Sequence, residues 1–283
     1  MPESYRLMRS YFATTSQWKD YDPFQEQKDE TFRSSAAAIY RKSRLIILEL
    51  AHTFAELDQE KAILDTDASK LQVLFNEMLQ ICLWGNATDL SLLTNMTHED
   101  IQKLQSVGRA AQEDRKEFIL LDNSDEAWKV LSSVKDGRVD LVLDNAGFEV
   151  FTDFLLADFL ITHTPYVSKV VFHPKTIPWF VSDVTPKDFY TLVPILLNKS
   201  FFADYPATAE QQKDLERLVT RWDSYIKSGQ FSLSVPQSWK TGQPSELADF
   251  WTSPSPYAVL GQEAPALMET FKASDLVIFK VNI

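Results

Sequence analysis

Glycine is scarce in this sequence, and the few glycines lie far apart. They occupy positions 85, 108, 137, 147, 229, 242 and 261 of the 283 residues. The G-x-G-x-x-G dinucleotide fingerprint, the Walker A loop and the G-x-S-x-G nucleophile elbow all need closely spaced glycines. The classes of protein that depend on these loops are therefore excluded.

Cysteine and histidine are almost as rare. The single cysteine, Cys82, excludes an internal disulfide, and its apolar neighbours favour core packing over a reactive thiol. The four histidines, at positions 52, 98, 163 and 173, form no H-E-x-x-H motif and have no cysteine pairs to join, so a standard zinc site is not expected. We expect His163 and His173 on the surface or in loops.

An excess of positive charge is also lacking. The formal net charge is −12, the pI is near 4.8, and no cluster of Lys and Arg is dense. Nucleic acid and anionic membrane are therefore not expected as partners. The opening MPESYRLMRSYF lacks the apolar core of a signal peptide, and no later run is long enough to cross a membrane. We expect a cytoplasmic protein, and the sequence leaves its oligomeric state open.

The apolar pattern changes near residue 115. Residues 1–114 read as a helical region, with helices over Thr31–Phe54, over Ser69–Trp84 and from Thr97 to about Gln112. In residues 115–283 short apolar runs alternate with helical patterns. The runs predict strands over Phe118–Leu121, Val139–Leu143, Val167–Phe172 and Asp275–Lys280, and helices over Asp125–Val134, Phe148–Ile161, after Pro186 and over Glu210–Ile226. The expected fold class is α/β: a helical N-terminal part, then a mostly parallel, Rossmann-like sheet with flanking helices. Ligands bind at the carboxyl ends of such strands.

One group of polar residues follows a predicted strand. Asp144 and Asn145 come directly after the strand Val139–Leu143, and Glu149 lies in the first turn of the next helix. Carboxylate and amide oxygens are ligands that hard divalent cations prefer. The alternative is structural, because Asp and Asn also form turns and cap helices. The residues alone leave both interpretations open.

A second candidate is Asp183, which follows the apolar segment Ile177–Val181 and is expected on the same face as the first group. It could be a third metal ligand, or it could be an N-cap for the helix after Pro186. Asp153 and Asp158, in the helix after Glu149, are expected to be solvated or structural.

The motifs around these residues resemble those of a known family. LVLDNAGFEVFTDFLLADFL and KTIPWFVSDVTPKDF look like the signature of the damage-control phosphatases (domain of unknown function 89), in their eukaryotic acidic-residue methyltransferase / sugar-phosphate phosphatase subfamily. Weaker matches occur in the family's order and cover nearly the whole chain. They are PESYRLMRSYF, DPFQEQKDETFRSS, MLQICLWGN, FWTSPSPYAVL and APALMETFKASDLVIFK.

This resemblance implies roles for specific residues. Asp144, Asn145 and Asp183 would bind a manganese, cobalt or nickel ion and carry the catalysis. Glu149 would line the site, and substrate would contact Asp144, Asn145, Glu149 and Lys280. The implied activity is removal of phosphate from sugar phosphates such as fructose 1-phosphate and fructose 6-phosphate.

The resemblance also implies an alternative activity, S-adenosylmethionine-dependent methylation of protein glutamates. The sequence favours the phosphatase, because no glycine-rich turn is present to hold S-adenosylmethionine. A metal ion can neutralise charge at a phosphoryl group, whereas it has no obvious role in methyl transfer to a carboxylate.

The resemblance further implies that the chain is truncated at both ends. After Lys280 the family continues with Gly-Asp-Leu-Asn-Tyr-Arg-Lys, which grips the substrate phosphate, whereas this chain reads Val281-Asn282-Ile283. On this interpretation the α/β domain is incomplete, and a catalytically impaired fragment is a rival to the enzyme. We expect turnover at least about a hundredfold below that of an extended version.

Overall fold

The protein is described from a computed structural model that covers residues 2–36, 46–64, 68–85, 119–204 and 207–280. Its helices are α1 (Pro2–Ala13), α2 (Gln25–Ala36), α3 (Ile46–Leu64), α4 (Ala68–Trp84), α5 (Ser124–Leu131), α6 (Phe148–Asp158), α7 (Pro186–Leu197), α8 (Ala209–Ser228), α9 (Leu260–Glu263) and α10 (Pro265–Lys272). Helix α6 continues into a π-helical turn, Phe159–His163, and two 3₁₀ turns cover Asp249–Thr252 and Tyr257–Val259. None of these helices is both long enough and apolar enough to cross a bilayer.

The strands form one sheet in which every pair is parallel. They are β1 (Gly137–Val142), β2 (Val167–His173), β3 (Phe231–Leu233) and β4 (Leu276–Phe279), in the spatial order β3-β2-β1-β4. In β1, Val139 is in register with Val170 of β2 and with Leu276 of β4. The predicted α/β class with a parallel sheet is therefore confirmed, and β1 and β2 bring their carboxyl ends to the same edge.

The sheet is covered on both faces. Successive side chains of a strand point to opposite faces. Accordingly, Leu141 belongs to the larger apolar cluster with α6, whereas Val142 belongs to a smaller one with Trp251 and Phe271. Strand β1 is thus buried on both sides, as its Val- and Leu-rich sequence predicts.

Helix α6 is buried along its whole length, from Phe148 to Asp158. At its centre the Phe154 ring contacts four other aromatic side chains, with ring centroids 4.9 to 5.3 Å apart. These are Phe172, Phe189, Trp222 and Phe231. Such packing removes a large aromatic area from water and fixes the helix in place. The first turn of α6, which carries Glu149, therefore has a defined position behind the end of β1.

Helix α4 packs on α6 and joins the same cluster. Phe75 and Cys82 are fully buried there, which confirms the prediction that Cys82 belongs to the core. Just after α4 the chain lies tightly against α6, where a Cβ added to Gly85 would be 2.2 Å from Thr152 Oγ1. Only glycine permits this approach.

Several predicted elements need correction. The run Phe118–Leu121 is not a strand: Ile119–Leu121 is irregular, Leu120 is fully exposed, and Phe118 is outside the described residues. The helix predicted from Thr97 to Gln112 also falls outside them, as do residues 37–45 of the predicted helix Thr31–Phe54. The described parts of the predicted helix Thr31–Phe54 are helical, but they belong to α2, which begins at Gln25, and to α3, which ends at Leu64. The remaining predicted elements occur, with ends shifted by at most three residues. Helix α1, strand β3 and the segments from the 3₁₀ turns to α10 were not predicted.

The prediction for the two histidines was wrong. His163 and His173 are both fully buried. His173 Nε2 lies 2.6 Å from Asp140 Oδ1 of the neighbouring strand, so a buried carboxylate provides its partner. His163 closes the π-helical turn beside the Phe54 ring, and burial is the main cause that lowers its pKa to about 4.

The two aspartates of α6 are structural rather than solvated. Asp158 is fully buried and accepts hydrogen bonds from Trp222 Nε1 (2.9 Å) and from the Arg221 guanidinium (2.7 Å). Asp153 is also fully buried and accepts from the Lys280 ammonium at 2.8 Å. Each carboxylate thus has a cation within hydrogen-bond distance, as buried charges require.

Candidate functional site

The site begins where β1 ends. The chain that follows pairs with a returning loop: the Val184 N–H donates to the Asp144 carbonyl at 2.8 Å, and Asn145 and Asp183 form an isolated antiparallel bridge. Asp183 therefore lies in a loop that runs back against the end of β1. The segment that leads into Asp183 is a loop and not a strand. This pairing brings together the three residues predicted to bind a metal.

A strained turn directs the loop. Phe180 and Val181 have φ of 41° and 68°, in the left-handed region that β-branched residues such as Val rarely adopt. Each such residue costs on the order of 1–3 kcal/mol and persists only where the surroundings enforce it. The Asp183 N–H donates to the Trp179 carbonyl at 3.1 Å and closes the turn. The strain is stored immediately before a candidate ligand.

The three predicted metal-binding residues are almost completely buried, with exposures of 5% for Asp144 and 3% for both Asn145 and Asp183. The Asn145 amide nitrogen donates to Glu149 Oε2 at 2.8 Å and to Asp144 Oδ2 at 3.2 Å. Its amide oxygen accepts from Ser182 Oγ at 2.5 Å. Since both amide hydrogens face carboxylates, the orientation of the amide is fixed.

The helix-capping alternatives are wrong. The N-cap of α6 is Gly147, with φ of 79°, and neither Asp144 nor Asn145 has that role. The N-cap of α7 is Thr185, in a capping box with Asp188. The polar residues after β1 are therefore not explained by local helix capping.

Lys175 completes the site, and sequence reasoning missed it. Its ammonium lies 4.0 Å from Asp144 Oδ1 and 3.8 Å from Asp183 Oδ2, and it donates to the Leu143 carbonyl at 2.6 Å. The side chain is buried. Lys175 is the first residue of the KTIPWFVSD motif and follows β2 closely. Its position at the carboxyl edge of the sheet could therefore have identified it as a candidate site residue.

The site carries more negative than positive charge. Burial is the largest of the causes that raise the pKa of Asp144 to about 8; Glu149 and Asp183 raise it further, and Lys175 and Lys280 oppose the rise. The pKa of Glu149 is also raised, again mainly by burial. A proton or a further cation near Asp144 therefore stabilises the cluster.

The oxygen donors fit a hard divalent cation. Asp144 and Asp183 supply carboxylates and Asn145 an amide oxygen, which is the donor chemistry of magnesium and manganese sites. Within the described ranges, no group of three or more His, Cys, Asp or Glu side chains has an arrangement able to hold a metal. An ion here would therefore depend on the Asn145 amide and on water in addition to the aspartates.

A buried lysine from α2 holds the loop from behind. The Lys28 ammonium donates to the Asp183 carbonyl at 2.9 Å, to Asp188 Oδ2 at 2.8 Å and to Asp22 Oδ2 at 3.0 Å. It thus ties the backbone of a candidate ligand to the capping box of α7. The α2 motif DPFQEQKDETFRSS thereby gains a structural role.

Tyr257 lies near the site and remains 43% exposed. Its ring is 5.6 Å from the Phe279 ring at the end of β4. Burial raises the pKa of its hydroxyl, and the charges of Asp144 and Asp183 raise it further. This partly exposed ring is therefore available to a molecule that approaches the aspartates.

The two remaining predicted residues lie deeper. Glu149 is fully buried beneath Asn145. Lys280 follows β4 and is 3% exposed, with its ammonium 2.8 Å from Glu149 Oε1. Their contact with substrate stays a prediction.

The fold and this site define an α/β protein with an acidic, lysine-containing cluster at the carboxyl edge of a parallel sheet. The chain belongs to the damage-control phosphatase ARMT1-like domain family, whose profile matches residues 3–280. It is 32% identical over 288 residues to the mouse protein named Damage-control phosphatase ARMT1, covering 99% of this chain and 56% of that protein.

Other relatives with the same name give similar matches. Identity is 32% over 286 residues to the cattle protein, covering 99% of this chain and 56% of the relative. Identity to the human protein is 33% over 271 residues, covering 93% of this chain and 53% of the relative. The chain thus spans about half the length of the curated relatives that it matches.

Proposed function

We propose that the chain carries the metal site of a phosphoric monoester hydrolase that acts on sugar phosphates of the fructose 1-phosphate and fructose 6-phosphate type. The observation that carries this proposal is that Asp144 and Asp183 converge on the Lys175 ammonium, while Asn145 is hydrogen-bonded to Asp144 and paired with Asp183. Membership of a damage-control phosphatase family supports it.

The roles of the residues follow from this arrangement. Asp144, Asn145 and Asp183 would hold a manganese, cobalt or nickel ion, which would neutralise phosphoryl charge and activate water. Lys175 adds a fixed positive charge beside the same oxygens, and its burial strengthens the electrostatic interaction with an incoming phosphoryl group. Glu149 holds the Asn145 amide in its orientation.

Phosphate release tests this proposal. The purified chain is incubated with Mn²⁺ and fructose 1-phosphate, beside an extended chimera in which the mouse relative's sequence follows Lys280. We expect metal-dependent phosphate release, and the comparison of the two proteins measures what the added sequence contributes to turnover. Tight binding of S-adenosylmethionine with metal-independent methylation, and no phosphate release from either protein, would establish the methyltransferase instead.

Metal affinity should depend on pH. Because burial raises the pKa of Asp144 to about 8, the folded protein holds a proton there at neutral pH, and an ion must displace it. Mn²⁺ affinity should then fall by up to about tenfold for each pH unit below 8 and level off above.

Calorimetry in buffers of different ionisation enthalpy measures the displaced proton directly. We expect close to one proton released per ion at about pH 6.5 and roughly a quarter of a proton at about pH 8.5. Equal proton release at both values would contradict the assignment of this titration to Asp144.

A further inference from the structure

The Lys280 ammonium is buried among protein acceptors. It donates to the Cys82 carbonyl at 2.8 Å and to Asp153 Oδ1 at 2.8 Å. It also forms an ion pair with Glu149 Oε1 at 2.8 Å, which lies outside hydrogen-bond geometry. The ammonium therefore faces these protein oxygens and not solvent.

Glu149 connects this ammonium to the site. One of its oxygens, Oε1, faces Lys280 at 2.8 Å. The other, Oε2, accepts from the Asn145 side-chain amide at 2.8 Å and lies 3.4 Å from the Asn145 backbone nitrogen. A single carboxylate thus receives the ammonium on one side and Asn145 on the other.

The orientation of the Asn145 amide depends on this chain of contacts. With its nitrogen held by Glu149, the Asn145 side chain directs its oxygen towards Ser182 and the loop of Asp183. If Glu149 lost its anchor, its carboxylate could rotate and the amide could turn. The amide would then present hydrogens in place of an oxygen ligand.

We propose that Lys280 is a positioning residue that acts through Glu149 to orient the Asn145 amide for a divalent cation. This inference rests on the proposed function. It differs from the family expectation for Lys280, because it assigns no direct contact between Lys280 and the substrate. Residues that orient metal ligands in this way typically change metal affinity by about 10–100-fold.

The test measures Mn²⁺ binding to the chain by calorimetry, with melting temperature as the control for folding. Lys280→Met should weaken Mn²⁺ binding at least about tenfold. Because this variant leaves Glu149 and Asp153 without their cation, its fold is at risk. The double variant Lys280→Met/Asp153→Asn removes one charge of each sign, retains the loss at Glu149 and should show the same weakening.

Two further variants separate orientation from a general effect of charge. Lys227→Met removes a lysine that is exposed on α8, and it should bind Mn²⁺ as the unmodified chain does. In a double-mutant cycle, Lys280→Met should have little further effect on Mn²⁺ affinity once Glu149→Gln is present, because Lys280 acts through Glu149.

Unchanged Mn²⁺ affinity in a folded Lys280→Met/Asp153→Asn variant would overturn the inference while leaving the proposed function intact. Fully additive effects in the cycle would overturn it too. Failure of the unmodified chain to bind Mn²⁺, Co²⁺ or Ni²⁺ would overturn the proposed function and this inference together.

Discussion

Asp144→Asn is expected to reduce phosphate release by at least about a thousandfold, to the background of the assay. The substitution keeps the size of the side chain but removes one of the two carboxylates among the three proposed metal ligands. Because burial raises the pKa of Asp144 to about 8, the carboxyl is already protonated at neutral pH and the neutral amide replaces it without loss of charge, so the melting temperature should stay the same or rise. Turnover is measured in the chain or in the extended chimera, whichever is more active.

The matched control for this substitution is Asp223→Asn, which removes an exposed carboxylate on α8 that pairs only with Lys227 among the ion pairs of the described residues. Its turnover and metal affinity should equal those of the unmodified protein. Retention of more than about a tenth of turnover by a folded Asp144→Asn variant would show that Asp144 is not a metal ligand in the reaction.

Lys175→Met should separate turnover from metal binding. We expect turnover to fall about a hundredfold or more, because a fixed cation at the phosphoryl group is lost. Mn²⁺ affinity should hold or increase, since the ammonium that lies 4.0 Å from Asp144 and 3.8 Å from Asp183 no longer repels an incoming ion. Measurements of kcat and of Mn²⁺ binding on one preparation check both parts.

The stability of this variant gives a second measurement. Without Lys175, the buried Asp144 and Asp183 carboxylates lose the ammonium that lies within 4.0 Å of both, so Mn²⁺ should raise the melting temperature more than it does in the unmodified protein. Lys175→Arg serves as the charge-preserving comparison. Weakened Mn²⁺ binding in Lys175→Met would mean that the lysine organises the ligands, contrary to our interpretation.

The parts of the fold that were predictable are those that local sequence determines. Strand β1 and helix α6 are both rich in apolar residues but differ in length, and almost every residue in them is buried. The same rule failed at the predicted strand Phe118–Leu121, since a run of four apolar residues resembles a strand whether or not a partner strand is present to accept it.

The site was predictable only in part, because its geometry comes from contacts between distant segments. Asp144 and Asn145 could be located from the end of β1. The position of Asp183 depends on two residues with positive φ and on Lys28, which neither propensity nor periodicity indicates. The burial of His173 likewise depends on an aspartate in the adjacent strand.

The burial of α6 on all sides has a consequence for the order of folding. Its acidic residues are neutralised by side chains from distant parts of the chain: Lys280 contacts Glu149 and Asp153, and Arg221 contacts Asp158. Removing these carboxylates from water without their cations is unfavourable. Burial of α6 with ionised carboxylates is therefore expected only together with the docking of α8 and β4, and contacts between such distant segments form slowly. We expect the helix most central to the native core to be among the last to lose its water.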